Sequence, residues 1–458
     1  MKLSIEEIVG AVNGKLLNPL ANDSSLCIEH ITTDSRKHME KGLFIPLKGE
    51  RFDGHDFIGS VYDKGAIATL TMNEEVVDER MATILVKDTK MALLDLGCFY
   101  RKQFQIPVIG ITGSVGKTST KEMISAVLSG KWNVHKTEGN FNNEIGLPLT
   151  LFNINTLHEA AVIEMGMNHF GEIHNLTCSA LPDVAVITNV GTSHIENLGS
   201  REGILKAKLE ILDGLHEEGL LVINGDNDLL STLNDLPVKS ISYGLMPTND
   251  YWAKDIHSEG EYTLATVISP KQTYQIRIKA LGEHMVYNTL AAIAVAEHFG
   301  LTEEEVMNGI ASYEPAKMRM HITTLDSGLT IIDDTYNASP DSMQAALKVL
   351  RDYNAKGRKV AILGDMFEMG EFAPKLHQEV GQFAAETAID VLIAIGDLAK
   401  HIYEGYKRKS TKDAHYFETK EAFIENLMHV IQKEDCVLLK ASRGMHFEAL
   451  IEEVGKVK

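Results

Sequence analysis

The stretch VIGITGSVGKTSTKEMISAVL, residues 108–128, combines a strand pattern, a glycine-rich turn and a helix pattern in that order. Val108, Ile109 and Ile111 are β-branched and follow a proline, which is typical of a buried strand in a parallel sheet. From Thr118 onward, apolar side chains recur at helical spacing. The segment therefore predicts a strand, a loop and a helix, which is the arrangement that cradles phosphate groups in α/β proteins.

The loop between this strand and helix has the residues that a phosphate cradle needs. Glycines allow close backbone approach, and the N–H groups at the start of a helix attract an anion. Lys117 adds a positive charge, and the Thr118 hydroxyl stands where such loops hold magnesium. We expect a nucleotide to contact Gly113, Ser114, Val115, Gly116, Lys117, Thr118 and Ser119.

The general P-loop pattern G-x-x-x-x-G-K-S/T is matched imperfectly, because its first glycine should stand at Ile111 and stands instead at Gly110. The form present, G-x-T-G-x-x-G-K-T-S, resembles the variant of the Mur ligase family, which joins amino acids or peptides to a carboxylate by way of ATP. The alternative is a glycine-rich turn with a surface lysine. It is the weaker interpretation, because strand, loop, Gly-Lys-Thr and helix all occur in the right order.

Composition limits the classes of protein that the chain can belong to. Its 458 residues are enough for about three domains, and the formal net charge of -20 opposes broad attraction to nucleic acids or anionic lipids. The four cysteines lack metal-ligand spacing, and no apolar run approaches the roughly 18 residues that span a bilayer. We expect a cytoplasmic, monomeric protein without membrane insertion or nucleic-acid binding.

The predicted fold class is α/β with three domains, and the resemblance to the Mur ligases covers essentially the whole chain. We place a small α/β domain at residues 1–84, a P-loop domain with a parallel sheet at 85–314 and a Rossmann-like domain at 315–458. The resemblance implies that the first domain grips the uridine-sugar end of the substrate, with Ser35 and Arg36 in contact. On spacing alone these two residues read as part of a polar turn.

The segment HKTEGNFNNEIGLPLTLF, residues 135–152, crowds uncharged polar side chains into a glycine-flanked turn. Asparagines favour turns for local reasons, but a cluster of amides also suits recognition of a sugar. The segment resembles the member of the family that acts last, on the tripeptide. That resemblance favours substrate contacts from Thr137, Asn140, Asn142 and Asn143.

Two further apolar strands end in polar residues that we expect at the same edge of the sheet. The strand 160–163 runs into Glu164, and an acid beside a P-loop is where nucleotide enzymes place a magnesium ligand. The strand 184–188 is followed by a loop that contains His194. Each residue alone is a weak signal, but three loops converging on one edge favour a shared site.

The resemblance implies two further contacts from helices. The segment 204–215 has an amphipathic pattern, with Leu205, Leu209 and Leu212 predicted to face the core. On this helix Lys206 and Lys208 would ordinarily be solvated. In the Mur ligases the matching segment carries a lysine that becomes a carbamate, and the match places it at Lys208. The resemblance also makes Asn288, at the start of a predicted helix 288–299, an adenine contact.

The third domain contributes the segment DDTYNASPDS, which starts at Asp333. Ser339 reads as the N-cap of a helix, but capping does not explain two adjacent aspartates, whose like charges repel unless a cation or hydroxyl group lies between them. The resemblance implies that Arg319 and Asp334 contact the nucleotide, and that Asn337 and Ser339 contact substrate.

The implied reaction attaches D-alanyl-D-alanine to UDP-N-acetylmuramoyl-tripeptide in peptidoglycan synthesis, with ATP and Mg²⁺. The implied catalytic residues are Lys117, His194 and Lys208, and the implied metal ligands are Thr118, Glu164, His194 and Lys208. The alternatives are a sibling ligase that adds the third amino acid, a folylpolyglutamate synthase-like ligase and, from another class, a P-loop ATPase that couples hydrolysis to motion.

Overall fold

The computed structural model describes residues 1–18, 26–49 and 51–457. This part of the chain is α/β throughout, as predicted, and its strands form four sheets of two, five, nine and six strands. None of its helices combines the length and the apolar character needed to cross a bilayer.

The first two sheets are built from the amino-terminal residues. Strands β1 and β3 form an antiparallel pair, and the five-stranded sheet has the order β2-β7-β6-β5-β4 with only its β2–β7 pair antiparallel. The bounds are β1 Leu3–Ser4, α1 Ile5–Ala11, β2 Lys15–Leu16, β3 Cys27–Ile28, β4 His30–Thr32, β5 Gly42–Phe44, α2 Ile58–Val61, β6 Ala66–Thr71 and β7 Ala82–Leu85.

The nine-stranded sheet has the order β16-β15-β14-β13-β12-β11-β8-β10-β9. It is parallel from β9 to β14 and ends in an antiparallel hairpin. The bounds are α3 Thr89–Arg101, β8 Val108–Thr112, α4 Lys117–Leu128, β9 Val134–Lys136, α5 Gly146–Leu151, β10 Ala160–Glu164, α6 Glu172–Ala180, β11 Val184–Ile187, α7 Ile195–Leu198, α8 Arg201–Leu209, β12 Leu220–Asn224, β13 Lys239–Gly244, β14 Tyr251–Glu259, β15 Tyr262–Ile268, β16 Thr273–Ile278, α9 Glu283–His298 and α10 Glu303–Ala311.

The six-stranded sheet has the order β17-β18-β22-β19-β20-β21 and is parallel apart from the edge strand β17. The bounds are β17 His321–Thr324, β18 Thr330–Asp333, α11 Pro340–Asp352, β19 Lys359–Gly364, α12 Ala373–Glu386, β20 Val391–Ile395, α13 Ala399–Lys409, β21 Asp413–Phe417, α14 Lys420–Val430, β22 Cys436–Lys440 and α15 Glu448–Val454. The domain boundaries at 84/85 and 314/315 stay a prediction.

Three sequence-based elements differ from the structure. The expected helix 204–215 ends as an α-helix at Leu209 and continues as a 3₁₀ turn, and its deeply buried face is Ile204, Ala207, Lys208 and Ile211, whereas the three predicted leucines are only partly buried. The helix expected to start at Asn288 starts at Glu283, which places Asn288 in its second turn. The segment 27–33, whose sequence pattern predicts a single strand, is divided between two sheets.

Helices α12 and α13 approach so closely that glycines are required at their contact. A Cβ atom on Gly381 would lie 2.0 Å from the Ile402 carbonyl oxygen, and one on Gly405 would lie 2.3 Å from that of Gln378. Both distances are far inside van der Waals contact, and the obstacle is backbone, which cannot move aside as a side chain does.

We therefore expect Gly381→Ala to lower the free energy of unfolding by about 2 kcal/mol, because the helices must separate to admit one methyl group. Gly10→Ala is the matched control. Gly10 also lies in a helix, and a Cβ there meets nothing within 4 Å, so helix propensity should make that change stabilising by about 0.5 kcal/mol. Denaturant titration of both variants measures the difference, and equal effects would contradict the packing argument.

Candidate functional site

A polar cavity of about 410 Å³ lies where the loops after β8, β10 and β11 face the six-stranded sheet. Side chains from both sheets line it, and most of the residues predicted from the sequence are among them. Those lining residues are Ser114, Val115, Gly116, Lys117, Thr118, Asn140, Asn142, Asn143, Glu164, His194, Arg319, Asn337 and Ser339. Side chains distant in sequence thus converge on one cavity.

The phosphate loop depends on glycine at its two turning points. Gly113 has φ 155° and a Cβ there would lie 1.8 Å from the Thr188 hydroxyl, while Gly116 has φ 83° just before helix α4. Asn189 braces the loop, since its carbonyl oxygen accepts from the Ser114 N–H at 3.1 Å and its side-chain oxygen accepts from the Val115 N–H at 2.8 Å. Only a residue without a side chain fits between the loop and β11.

Lys117 is the first residue of α4, and its ammonium donates to the Gly113 carbonyl at 2.7 Å. Burial lowers the pKa of Lys117, while attraction to Glu164 partly opposes that effect. The first N–H groups of a helix have no partner within it, and the helix dipole adds positive potential at this end. The beginning of α4 can therefore hold an anionic group.

Glu164 ends β10 and is 2% exposed. Its Oε1 accepts from the Asn142 side chain at 2.8 Å and its N–H donates to the Thr137 hydroxyl at 3.0 Å, but Oε2 is buried without a hydrogen-bond partner. A buried carboxylate oxygen without a partner is costly in a folded protein. Thr137 itself is fully buried below the cavity and supports Glu164 instead of lining the wall.

His194, which lines the cavity, contacts Glu368 from the loop after β19 of the six-stranded sheet. His194 precedes α7 with φ 64°, Glu368 follows β19 with φ 61°, and His194 Nδ1 lies 2.6 Å from Glu368 Oε2. The contact with His194 is the main reason that the pKa of Glu368 is lowered. Positive φ is uncommon in non-glycine residues, and here both members of the pair adopt it.

Arg319 reaches the phosphate loop from the third part of the chain. Its Nη2 lies 3.4 Å from the Thr118 hydroxyl, and its guanidinium stacks over the Tyr336 ring at 4.1 Å. Stacking on an aromatic face holds the planar cation in a defined orientation. Arg319 therefore adds a second fixed positive charge opposite Lys117.

A second cavity of about 210 Å³ adjoins the first on the other side of the phosphate loop. Its walls include the predicted residues Ser119, Asn288, Arg319 and Asp334 together with the tyrosines 243, 287 and 313. The Asn288 side-chain oxygen accepts from the Thr120 hydroxyl at 2.9 Å, which fixes the amide. Aromatic walls with a few fixed polar groups suit a flat heterocycle.

The adjacent aspartates of the third domain have separate partners. Asp334 forms an ion pair with Lys440, which is 1% exposed and also donates to the Asn337 carbonyl at 3.0 Å. Asp333 turns away and accepts from the Thr335 hydroxyl at 2.7 Å. The cation that the paired charges require is therefore supplied by the protein itself, through a lysine 106 residues further along the chain.

Besides Gly113 and the buried Thr137, three predicted residues lie outside both cavity linings, namely Ser35, Arg36 and Lys208. Ser35 and Arg36 belong to the amino-terminal region, where the Ser35 carbonyl accepts from Lys64 at 2.6 Å and the Arg36 side chain is 87% exposed and pairs with Asp34. Lys208 is 1% exposed on α8. Burial, with a further contribution from Lys117, lowers the pKa of the Lys208 amine well below its usual range.

The metal ligands implied by the sequence do not form a ready-made cluster. Within the described ranges, no three histidine, cysteine, aspartate or glutamate side chains are grouped as a metal site. The donor set nevertheless fits a hard divalent cation, since Glu164 presents a buried carboxylate oxygen without a partner and Thr118 presents a hydroxyl to the same cavity.

Sequence reasoning missed several residues of this region. Glu368 is not among the residues that the sequence predicts for the site, and Asn189 gives no signal because asparagine is common in loops. Lys121 and Glu122 lie next to each other on α4, with Lys121 Nζ 4.0 Å from Glu164 Oε2, and no sequence signal singles them out. Only the packing of β9 and β10 against that helix shows that they are covered.

Comparison with family models accounts for most of the chain. The model described as "Mur ligase middle domain" matches residues 111–296. The model "Mur ligase, glutamate ligase domain" matches 318–443, and "Mur ligase family, catalytic domain" matches 27–101. The matches occur in the order in which the three main sheets follow along the chain.

Relatives that match over nearly the full length of the chain point to the same family. The UDP-N-acetylmuramoyl-tripeptide--D-alanyl-D-alanine ligase of Bacillus subtilis (strain 168) is 42% identical over 99% of this chain and 98% of the relative. A crystal structure of MurF from Acinetobacter baumannii superimposes with a TM-score of 0.92 at 32% identity, covering 100% of this chain and 99% of the other. For the ADP complex of the MurF ligase from Thermotoga maritima the TM-score is 0.84 at 31% identity, with 93% and 97% covered. The chain therefore belongs to the Mur ligase family.

Proposed function

We propose that this protein is the ADP-forming ligase that joins D-alanyl-D-alanine to UDP-N-acetylmuramoyl-tripeptide. The proposal rests on the convergence of several groups on one cavity beside an aromatic pocket. These groups are Lys117, Glu164, Arg319 and the loop of Asn140, Asn142 and Asn143, called the asparagine loop below. A nucleotide with its base in the aromatic pocket would place its terminal phosphate at the start of α4. The remaining polar cavity would then hold the acceptor carboxylate.

The proposed reaction has two steps. An oxygen of the tripeptide carboxylate attacks the γ-phosphorus of ATP and ADP leaves, which forms an acyl phosphate. The dipeptide amine then attacks the acyl carbon, phosphate leaves, the amine loses a proton and an amide results. Lys117 and Arg319 would stabilise the charge on the transferred phosphoryl group, because fixed cations in a site with little water act strongly on developing charge.

Magnesium would be held by Thr118, Glu164, His194 and Lys208, and it would supply neutralisation of the phosphate charge. The buried, unpartnered Oε2 of Glu164 supports this assignment. Lys208 can take part only if its charge is reversed, since an ammonium would repel the cation. Its lowered pKa favours a neutral amine, which can add to carbon dioxide and lose a proton to give an anionic carbamate.

The asparagine loop favours a ligase over a P-loop ATPase. Asn140, Asn142 and Asn143 line the polar cavity, and Asn142 bonds to Glu164. A P-loop ATPase that only hydrolyses ATP would need no such set of amides beside its magnesium ligand. The sibling ligases would be distinguished by the acceptor that they require.

We expect ADP and phosphate to form only when both UDP-N-acetylmuramoyl-tripeptide and D-alanyl-D-alanine are present, since the phosphate loop holds the end of the nucleotide where the γ-phosphate is transferred. Coupled ADP assays with each substrate omitted in turn measure this requirement. Release of AMP, or full turnover with a free amino acid in place of the dipeptide, would contradict the proposal.

Lys117→Ala should lower turnover by about a thousandfold, because its contact with phosphate acts mainly in the transition state. The thermal unfolding temperature should stay unchanged, since the ammonium's protein contact is a single carbonyl. Steady-state kinetics and thermal unfolding of the same preparation separate these effects. Near-normal turnover would show that the loop does not act on the phosphoryl group.

Lys208→Ala should abolish most turnover without lowering thermal stability, because it removes the proposed carbamate while relieving the burial of an amine. Small carboxylates should partly restore the rate by occupying the vacated space. Lys206→Ala is the matched control, since Lys206 lies two residues away on the exposed face of α8. Carbon-13 NMR after addition of labelled carbon dioxide should show a carbamate in the wild type and in Lys206→Ala but not in Lys208→Ala.

A further inference from the structure

Lys121 is a buried lysine beside the polar cavity. The proposed reaction assigns it no role. It lies on α4 and is 1% exposed. Its Nζ donates to the Thr137 carbonyl at 2.5 Å, lies 2.9 Å from Glu122 Oε1 and lies 4.0 Å from Glu164 Oε2. The ammonium therefore contacts two groups closely and lies at the outer limit of ion pairing with Glu164.

Glu122 has ion-pair contacts on both sides. Its second oxygen lies 2.5 Å from Lys136 Nζ, while Lys121 contacts the first. Burial opposes ionisation of Glu122, but the two lysines outweigh it and lower the pKa of the carboxyl below its usual range. Glu122 is thus an anion that attracts Lys121 away from the cavity.

The gap between Lys121 and Glu164 needs an explanation. An ammonium and a buried carboxylate oxygen without a partner attract each other strongly where water is excluded, yet 4.0 Å separates them. The Thr137 carbonyl and Glu122 hold the ammonium on the other side. If Lys121 closed the gap, it would occupy the one free oxygen of Glu164.

We propose that Glu122 is a positioning residue: by holding Lys121 against itself and the Thr137 carbonyl, it keeps Oε2 of Glu164 free for the divalent cation that accompanies the nucleotide. The proposal rests on the proposed function for the identity of that nucleotide. Residues that orient a metal ligand from outside the coordination sphere commonly affect metal affinity.

The test measures the affinity for ADP by calorimetric titration, once in Mg²⁺ and once in EDTA. The ratio of the two affinities, called the tightening by Mg²⁺, is then compared between variants. In Glu122→Gln this tightening should fall about tenfold, because Lys121 is released to pair with Glu164. In the double variant Glu122→Gln/Lys121→Met it should return to within about twofold of the wild type, since the competing ammonium is gone. Lys136→Met, which removes the outer partner of Glu122, is the control and should stay within about twofold.

Unchanged tightening in Glu122→Gln, or an equal loss in the double variant, would overturn the proposal, because a merely structural role would not be reversed by Lys121→Met. Thermal unfolding checks that each variant is folded. If Glu122→Gln does not fold, Lys121→Met alone decides, since the tightening should be retained and its loss would overturn the proposal. Failure of the wild type to bind ADP at all would instead refute the proposed function.

Discussion

The parallel alignment of three strands is the constraint on which the site depends. In β8, β10 and β11 the register pairs Glu164 with Ile111 and Ile187 with Thr112, so the strands end almost level. In a parallel sheet every carboxyl end lies at the same edge. The phosphate loop, the Glu164 turn and the His194 loop must therefore emerge together, whatever their separation in sequence.

The second feature of the site is an unusual concentration of buried lysines. Lys121 and Lys440 are covered by packing and are paired with carboxylates. Lys208 is equally buried, but in the described part of the chain no carboxylate pairs with it, and Lys117 is a nearby like charge. Because an isolated buried charge is unstable, Lys208 differs from the two lysines whose charge is paired.

Much of the architecture could be predicted because it depends on local sequence patterns. The strand, loop and helix over 108–128 occur as expected, since periodicity and glycine placement act within a few residues. The first errors arose where two sheets share a short segment, as with β3 and β4, because each sheet pairs only two or three residues there. Helix α9 starts five residues before Asn288, directly after Gly282, whose φ of 108° lies outside the helical region.

The sequence by itself determined the α/β class, the phosphate loop and the set of polar residues at the strand ends, because each depends on residue type and spacing along the chain. Only the tertiary structure decided which charges are buried and which of them meet. Lys206 and Lys208 are alike in sequence, yet Lys206 is exposed whereas Lys208 is buried, with 1% of its surface exposed. The pairs Asp334–Lys440 and His194–Glu368 join distant segments. Burial and pairing depend on which residues from elsewhere in the chain pack against a side chain. The local sequence pattern does not predict those contacts.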